Sequence, residues 1–197
     1  MQILAHGVVS GLTLAVLATA FAAVYLPTRI LHLALGAVYV WVPFVAWACR
    51  QAGWPWPVAV IAAGAAGVAI SAACEMGNHW WLDQKGTAPS AHFIASLGIY
   101  IMLVQTAALI WGNEPQVLRV GADEVVTVGP VVLVKSQLVA VVVSAALLSV
   151  FHIGLRSTGL GLHFRAIADN PVEFALRGYS VRRFRLVAFA ISGTLGS

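Results

Sequence analysis

From position 3 to position 26 the chain carries no charged side chain. A stretch of about 20 apolar residues is long enough to cross a bilayer as a helix. In lipid, each backbone N–H and C=O must find its partner inside the segment, which leaves the α-helix as the form open to a lone run. The run is too long for the apolar core of a cleavable leader and has no basic residues before it, so it reads as a true span. Four further runs follow, at 30–49, 58–76, 91–111 and 130–154, and a sixth begins near Leu186. Only 9% of the residues are charged, against roughly 25% in a soluble domain. That is too little charge to coat a globule in water. The fold class expected is therefore all-α: a polytopic transmembrane helical bundle of about five full spans plus the start of a sixth. The sixth run is only begun at Ser197, so the chain reads as one transmembrane domain, 1–197, that is incomplete at its C-terminus.

The runs carry their own markings. Gly7 and Gly11 form a GxxxG pattern, which lets a second helix approach closely. Pro43 falls inside the second run, where it should kink or break the helix and leaves a re-entrant segment open. The third run is rich in Ala and Gly and should be buried among other helices rather than face lipid. Positions 77–90 and 112–129 read as polar loops. Cys49 and Cys74 fall near opposite membrane faces, so they cannot pair and count as small apolar residues.

The one long polar island is 155–185. It holds six of the eleven basic residues: Arg156, Arg165, Arg177, Arg182, Arg183 and Arg185. Within it lies a short helix with its own signals: Asn170 to cap it, Pro171 in the first turn, Glu173 to complete a capping box and Gly178 to end it. Val172, Ala175, Leu176 and Tyr179 then share one face. Spacing alone reads that face as packed on its own protein or on lipid headgroups; the sharper reading is a docking helix. If the island is cytoplasmic, alternation of the spans puts eight basic residues inside and Arg50, Arg119 and Lys135 outside, the bias that sets membrane orientation.

Several chemistries have no residues to carry them. There is no phosphate-binding G-x-x-x-x-G-K-[ST] loop, no H-E-x-x-H and no CxxC. The six histidines show no metal-ligand spacing, no nucleophile–base pair is visible, and the basic residues sit beside spans rather than forming a nucleic-acid patch. No catalytic residue, metal site or cofactor is expected. Glu75 stands out as an acid at membrane depth, a functional candidate by default. Set against that is a structural role, anchoring the helix end or pairing with Lys85 or His79. His32, near the start of the second run, calls for the same weighing.

Several stretches resemble one family. Gly11-Leu12 resembles its opening segment. Arg29 to Ala37 resembles a stretch that there reads N-F-A-H-G: Ala34 and Gly36 remain, while His32 and Leu35 replace the Asn and the His. Glu75 falls where the family often has Glu, without the Arg-Pro pair that comes after it there, and Ser96-Leu97-Gly98 resembles a T-x-G segment. The most specific match is Arg156-Ser157-Thr158-Gly159-Leu160-Gly161, then Arg165-Ala166, Asp169, Ala175 and Gly178. These residues resemble the LivH-like permease subunits of branched-chain amino-acid ABC importers.

The resemblance implies a role as the membrane permease subunit of an ATP-driven importer. It makes 155–185 a cytoplasmic coupling loop, with Arg165, Asp169, Val172, Glu173, Ala175, Leu176 and Gly178 engaging an ATP-binding subunit. It further implies a second permease subunit, identical or not, an extracytoplasmic solute-binding protein and a bacterial inner-membrane location. His32, Gly36 and Glu75 are the candidates for the translocation pathway. The departures at His32 and Leu35 leave urea or short amides open as solutes beside branched-chain or related amino acids. Two other classes stay open at this point. A stand-alone channel or secondary transporter should show an inverted repeat and intramembrane charge pairs, and neither is legible. A non-transporting scaffold would use the same loop to recruit a partner.

Overall fold

A computed structural model describes residues 2–112, 114, 125–128 and 131–197. The chain is helical almost throughout. In order it forms α1 (Gln2–Thr28), α2 (Leu35–Gln51), α3 (Trp56–Cys74), a π-helical turn (Glu75–His79), α4 (Trp80–Gln84) and α5 (Pro89–Trp111). A hairpin of β1 (Val125–Val128) and β2 (Val131–Val134) comes next, then α6 (Lys135–Ser157), α7 (Leu160–Asp169), α8 (Pro171–Leu176) and α9 (Val181–Leu195). Among the described residues four helices are long and apolar enough to cross a membrane: Gln2–Thr28, Trp56–Gln84, Pro89–Trp111 and Lys135–Ser157.

That is fewer spans than the apolar runs predict, and the second run accounts for the difference. Residues 29–34 leave the helical path. Arg29 takes a positive φ of 56°, and Ile30 donates its N–H to the Thr28 hydroxyl instead of continuing the ladder. The helix restarts only at Leu35 and is 17 residues long. Pro43 sits within it without ending it; its missing N–H forfeits one backbone bond.

The third run differs in the opposite direction. Helix continues past Met76 through the predicted loop as far as Gln84, giving one element of 29 residues. Only its Thr87-side turn is irregular, closed by Gly86 at φ 63°. The π turn at Glu75–His79 adds a residue to one helical turn, which rotates the faces of α4 relative to those of α3. The helix of the fifth run starts only at Lys135, because the valine-rich segments Val125–Val128 and Val131–Val134 take the strand form that β-branched residues favour. Val125 pairs with Val134 and Val126 with Leu133. The hairpin lies at the N-terminal end of α1, where the Gln2 side chain bonds both the N–H and the C=O of Val132. Most of the predicted 112–129 loop, including Asp123 and Glu124, lies outside the described residues.

The core is built from small and β-branched residues. Val16, Ala20, Leu35, Val38, Val42, Ala46, Ala63 and Leu195 form one buried cluster. The Ala/Gly-rich run buries a single stripe, Ala59, Ala63, Gly67, Ser71 and Cys74, and exposes its other faces, so it is half-covered rather than enclosed. That stripe meets α9 at a backbone crossing. A Cβ on Gly193 would lie 2.7 Å from the Gly67 carbonyl oxygen and 2.9 Å from the Val68 Cα. No side chain larger than hydrogen fits there. The Gly7–Gly11 pattern has no such role among the described residues: nothing lies within 4 Å of a Cβ at either position.

Candidate functional site

Two features stand out, both at the end of the bundle where α3 finishes and α9 begins. The first is a buried polar cluster. Continuing the helix beyond Cys74 brings Glu75, His79 and Asp83, four residues apart, towards α9. Arg185, in the first turns of α9, reaches across to them. Its Nε donates to Glu75 Oε1 at 2.5 Å and its Nη2 to Oε2 at 3.2 Å, a two-pronged pair. Its Nη1 donates to Asp83 Oδ2 at 2.9 Å. Arg185 is 5% exposed and Glu75 1%, whereas Asp83 is half in solvent. The Trp80 ring lies 5.8 Å from the Arg185 guanidinium carbon and 5.4 Å from that of Arg182, within cation–π range.

Beside this pair three histidines converge. His32 descends from the irregular turn before α2, His79 comes from the π turn, and His92 from the first turn of α5. The Nδ1 atoms of His79 and His92 are 3.3 Å apart, so one of them must carry the hydrogen. The His32 ring meets His79 edge-on at 5.8 Å and Phe189 at 4.8 Å. His32 is fully buried, and neither of its ring nitrogens has a hydrogen-bond partner among the described residues; the same holds for His79 Nε2 and for the Ser71 and Ser192 hydroxyls. Buried polar groups are normally paired, which makes this polar seam between α3 and α9 unusual. Ser96 is occupied, its hydroxyl accepting the Ala34 N–H at 3.1 Å. Gly36 is the second residue of α2, where a Cβ would meet the Tyr100 ring at 3.0 Å. Among the described residues no three His, Cys, Asp or Glu side chains converge as metal ligands.

The predicted partners of Glu75 are therefore corrected. Neither Lys85 nor His79 holds it: the Lys85 ammonium lies over the Trp81 ring at 5.9 Å, and Arg185 takes the carboxylate from 110 positions away. The spacing of Glu75, His79 and Asp83 is a helical-face signal. It is hidden in the sequence because the polar residues around it read as a loop. The convergence of His32, His79 and His92 has no local sequence signal at all.

The second feature is exposed. The polar island forms two helices, α7 and α8, where one was predicted. Asn170 caps α8, its Oδ1 accepting the Val172 and Glu173 N–H groups at 3.1 Å each. The capping box is not completed: the Asn170 N–H donates to Ala166 C=O, and the Glu173 carboxylate pairs with Arg177 at 2.5 Å. Gly178 ends the helix at φ 86°, the left-handed conformation that glycine adopts without strain. Phe174 is the buried residue of α8. It stacks on Tyr179 at 4.9 Å and meets Phe184 edge-on at 5.3 Å. His163 closes the group, 4.8 Å from Phe184. Tyr179, expected on the outer apolar face, is 46% exposed and stacks its ring on Phe174.

With Phe174 turned inward, Val172 is 68% exposed and Leu176 83%. Ala175 lies beside them, also exposed, as are Arg165, Asp169 and Glu173. The Arg165 Nε donates within its own helix to Gly161 C=O at 3.2 Å. Gly161 sits at the corner between α6 and α7, where a Cβ would collide with the Leu155 carbonyl.

A set of long apolar helices with a buried ionic seam at one end defines a multi-pass α-helical membrane protein. Residues 3–197 match the family model described as branched-chain amino acid transport system, permease component, and the chain belongs to that family of amino-acid transport permeases. No curated protein and no solved structure matches it.

Proposed function

We propose that this chain is the membrane subunit of an ATP-driven importer, moving a small solute by alternating access while a separate subunit hydrolyses ATP. The observation that carries this reading is the outer face of α8. A capped helix anchored from below by Phe174 leaves Val172 and Leu176 exposed, and large apolar side chains grouped in this way favour burial against a partner. Arg165, Asp169, Glu173, Ala175 and Gly178 complete the surface that would receive the ATP-binding subunit. Glu173, held by Arg177, keeps a charged rim beside the apolar patch. The excess of arginine in 155–185 supports a cytoplasmic position in a bacterial inner membrane.

The link to transport is short. Only Arg177 to Ser180 separate α8 from α9, and α9 carries Arg185 into the buried pair with Glu75. Movement of the docked helix would pull on that pair and on the histidines packed beside it. His32, Gly36 and Glu75 are the pathway residues of this reading, with a second permease chain supplying the other half and an extracytoplasmic binding protein delivering the solute. Branched-chain or related amino acids are the proposed solutes. The free ring nitrogens of His32 favour one further reading, urea or a short amide, since such a solute could bond a buried donor and acceptor together.

The test is co-purification of the protein with its ATP-binding subunit, for the natural sequence and for Leu176→Asp. Capture lost in the variant supports α8 as the docking helix. Undiminished capture means that another surface binds the ATPase and overturns the assignment.

A further inference from the structure

The groove between α1, α6 and α7 shares Arg165 with the proposed docking face and is otherwise not used by the coupling and transport roles proposed above. It is half-open, about 350 Å³ in volume, and its walls are apolar: Ala23 and Leu26 from α1, Phe151 and Leu155 from α6, Phe164 from α7. Two arginines, Arg156 at the end of α6 and Arg165 on α7, line the same groove. Neither has an acidic partner among the described residues; the ion pairs there are Glu173–Arg177 and the two made by Arg185. Arg165 spends one N–H on the Gly161 carbonyl and keeps its other donors. A second cavity, about 520 Å³, shares Phe151 and His152 with the groove and is otherwise lined by Thr19 of α1 and by Leu148 and Ser149 of α6. Two like charges that share one concavity without an anion repel each other, and the apolar walls of the groove adjoin them along α1 and α6.

From this we infer that the groove binds one anionic phospholipid. Its phosphate is held between Arg156 and Arg165, and an acyl chain lies along the seam between α1 and α6. The position suits such a ligand. α1 and α6 are both apolar enough to span a membrane, and both arginines stand where those spans end. Basic pockets between spans are a recognised form of anionic headgroup site. Planar guanidinium groups bond phosphate oxygens in pairs, and the apolar walls select a ligand with a tail over free phosphate.

The test uses the purified full chain in nanodiscs of phosphatidylglycerol or phosphatidylcholine, with retained lipid counted by native mass spectrometry. Because Arg165 also lies on the proposed docking face, lipid retention and not transport is the readout. The natural protein is expected to keep one phosphatidylglycerol and no phosphatidylcholine. R156Q/R165Q should bind it roughly thirtyfold more weakly, at the usual contribution of a basic residue near an anionic surface. R156K/R165K keeps the charge and should keep most of the binding. Equal retention of both lipids by the natural protein, or full retention by R156Q/R165Q, overturns the assignment. If the double variant does not fold, the thermal midpoint of the natural protein decides. A rise on adding phosphatidylglycerol but not phosphatidylcholine supports the site, and the same response to both sinks it.

Discussion

Leu176 and Arg185 are nine positions apart, and each stands in the environment usual for the other. Leu176 is 83% exposed; Arg185 is 5% exposed and locked to a carboxylate inside an apolar bundle. The difference separates two kinds of constraint. The Arg185–Glu75 pair is held from within: each charge is tolerable only because the other is there, so both sides must be kept together. The α8 face is held from outside. Among the described residues nothing covers Val172 and Leu176, so their value depends on what binds them. One region should therefore break the protein when altered, and the other should break only an association.

The largest effect is expected for Arg185→Gln. It strands Glu75 in the bundle without a counter-charge, a change that costs about 3–5 kcal/mol for a buried pair. The thermal midpoint of the purified protein should fall sharply. Adding Glu75→Gln to the same variant should recover most of the loss, because the orphaned charge is then gone. A double variant no more stable than the single one would show that the pair does not carry the difference. Asp83→Asn should matter much less, since Asp83 is half in solvent and its attraction is screened.

Next comes Gly193→Ala. A Cβ 2.7 Å from the Gly67 carbonyl oxygen must push α3 and α9 apart, and overpacking of this sort costs about 1–3 kcal/mol. The companion change Gly7→Ala, where no atom is within 4 Å, should leave the midpoint unmoved. Equal effects at the two glycines would contradict the crossing described for α3 and α9. Asn170→Ala removes the acceptor for two N–H groups and should weaken α8 by about 1 kcal/mol, seen as faster proteolysis within 170–180. Smallest for stability is Leu176→Asp, which should stay within about 0.5 kcal/mol of the natural protein while abolishing ATPase capture. A large loss of stability there would mean that Leu176 is covered by its own chain, and the contrast between the two regions would collapse.

How much of this the sequence carries differs in the same way. The apolar runs yield the membrane class directly, because lipid leaves the backbone few choices. Asn170, Pro171 and Gly178 mark α8 to the residue, because caps and stops are local chemistry. What local chemistry cannot supply is which face of a six-residue helix turns inward. Phe174 and the Val172–Leu176 pair are both apolar, and fewer than two turns give no period to choose by. The partner of Glu75 is hidden for a different reason. An acid at depth demands a base, but Lys85, His79, Arg182, Arg183 and Arg185 all answer to that description until the span that starts at Trp56 is known to run on to Gln84. Its polar residues look like a loop when read one by one, and like a helix face when read four apart.

The Gly67–Gly193 crossing has one more consequence. At the crossing itself the two backbones touch, so a tilt there meets no side chain, and the angle is held farther along α9 by Phe189 against His79 and by Arg185 on Glu75. Arg185 lies eight residues from Gly193, about 12 Å along the axis. A tilt of about 10° around the crossing would carry Arg185 sideways by roughly 2 Å. That is enough to part a guanidinium from its carboxylate, so the buried ion pair fixes the angle at which the two helices cross.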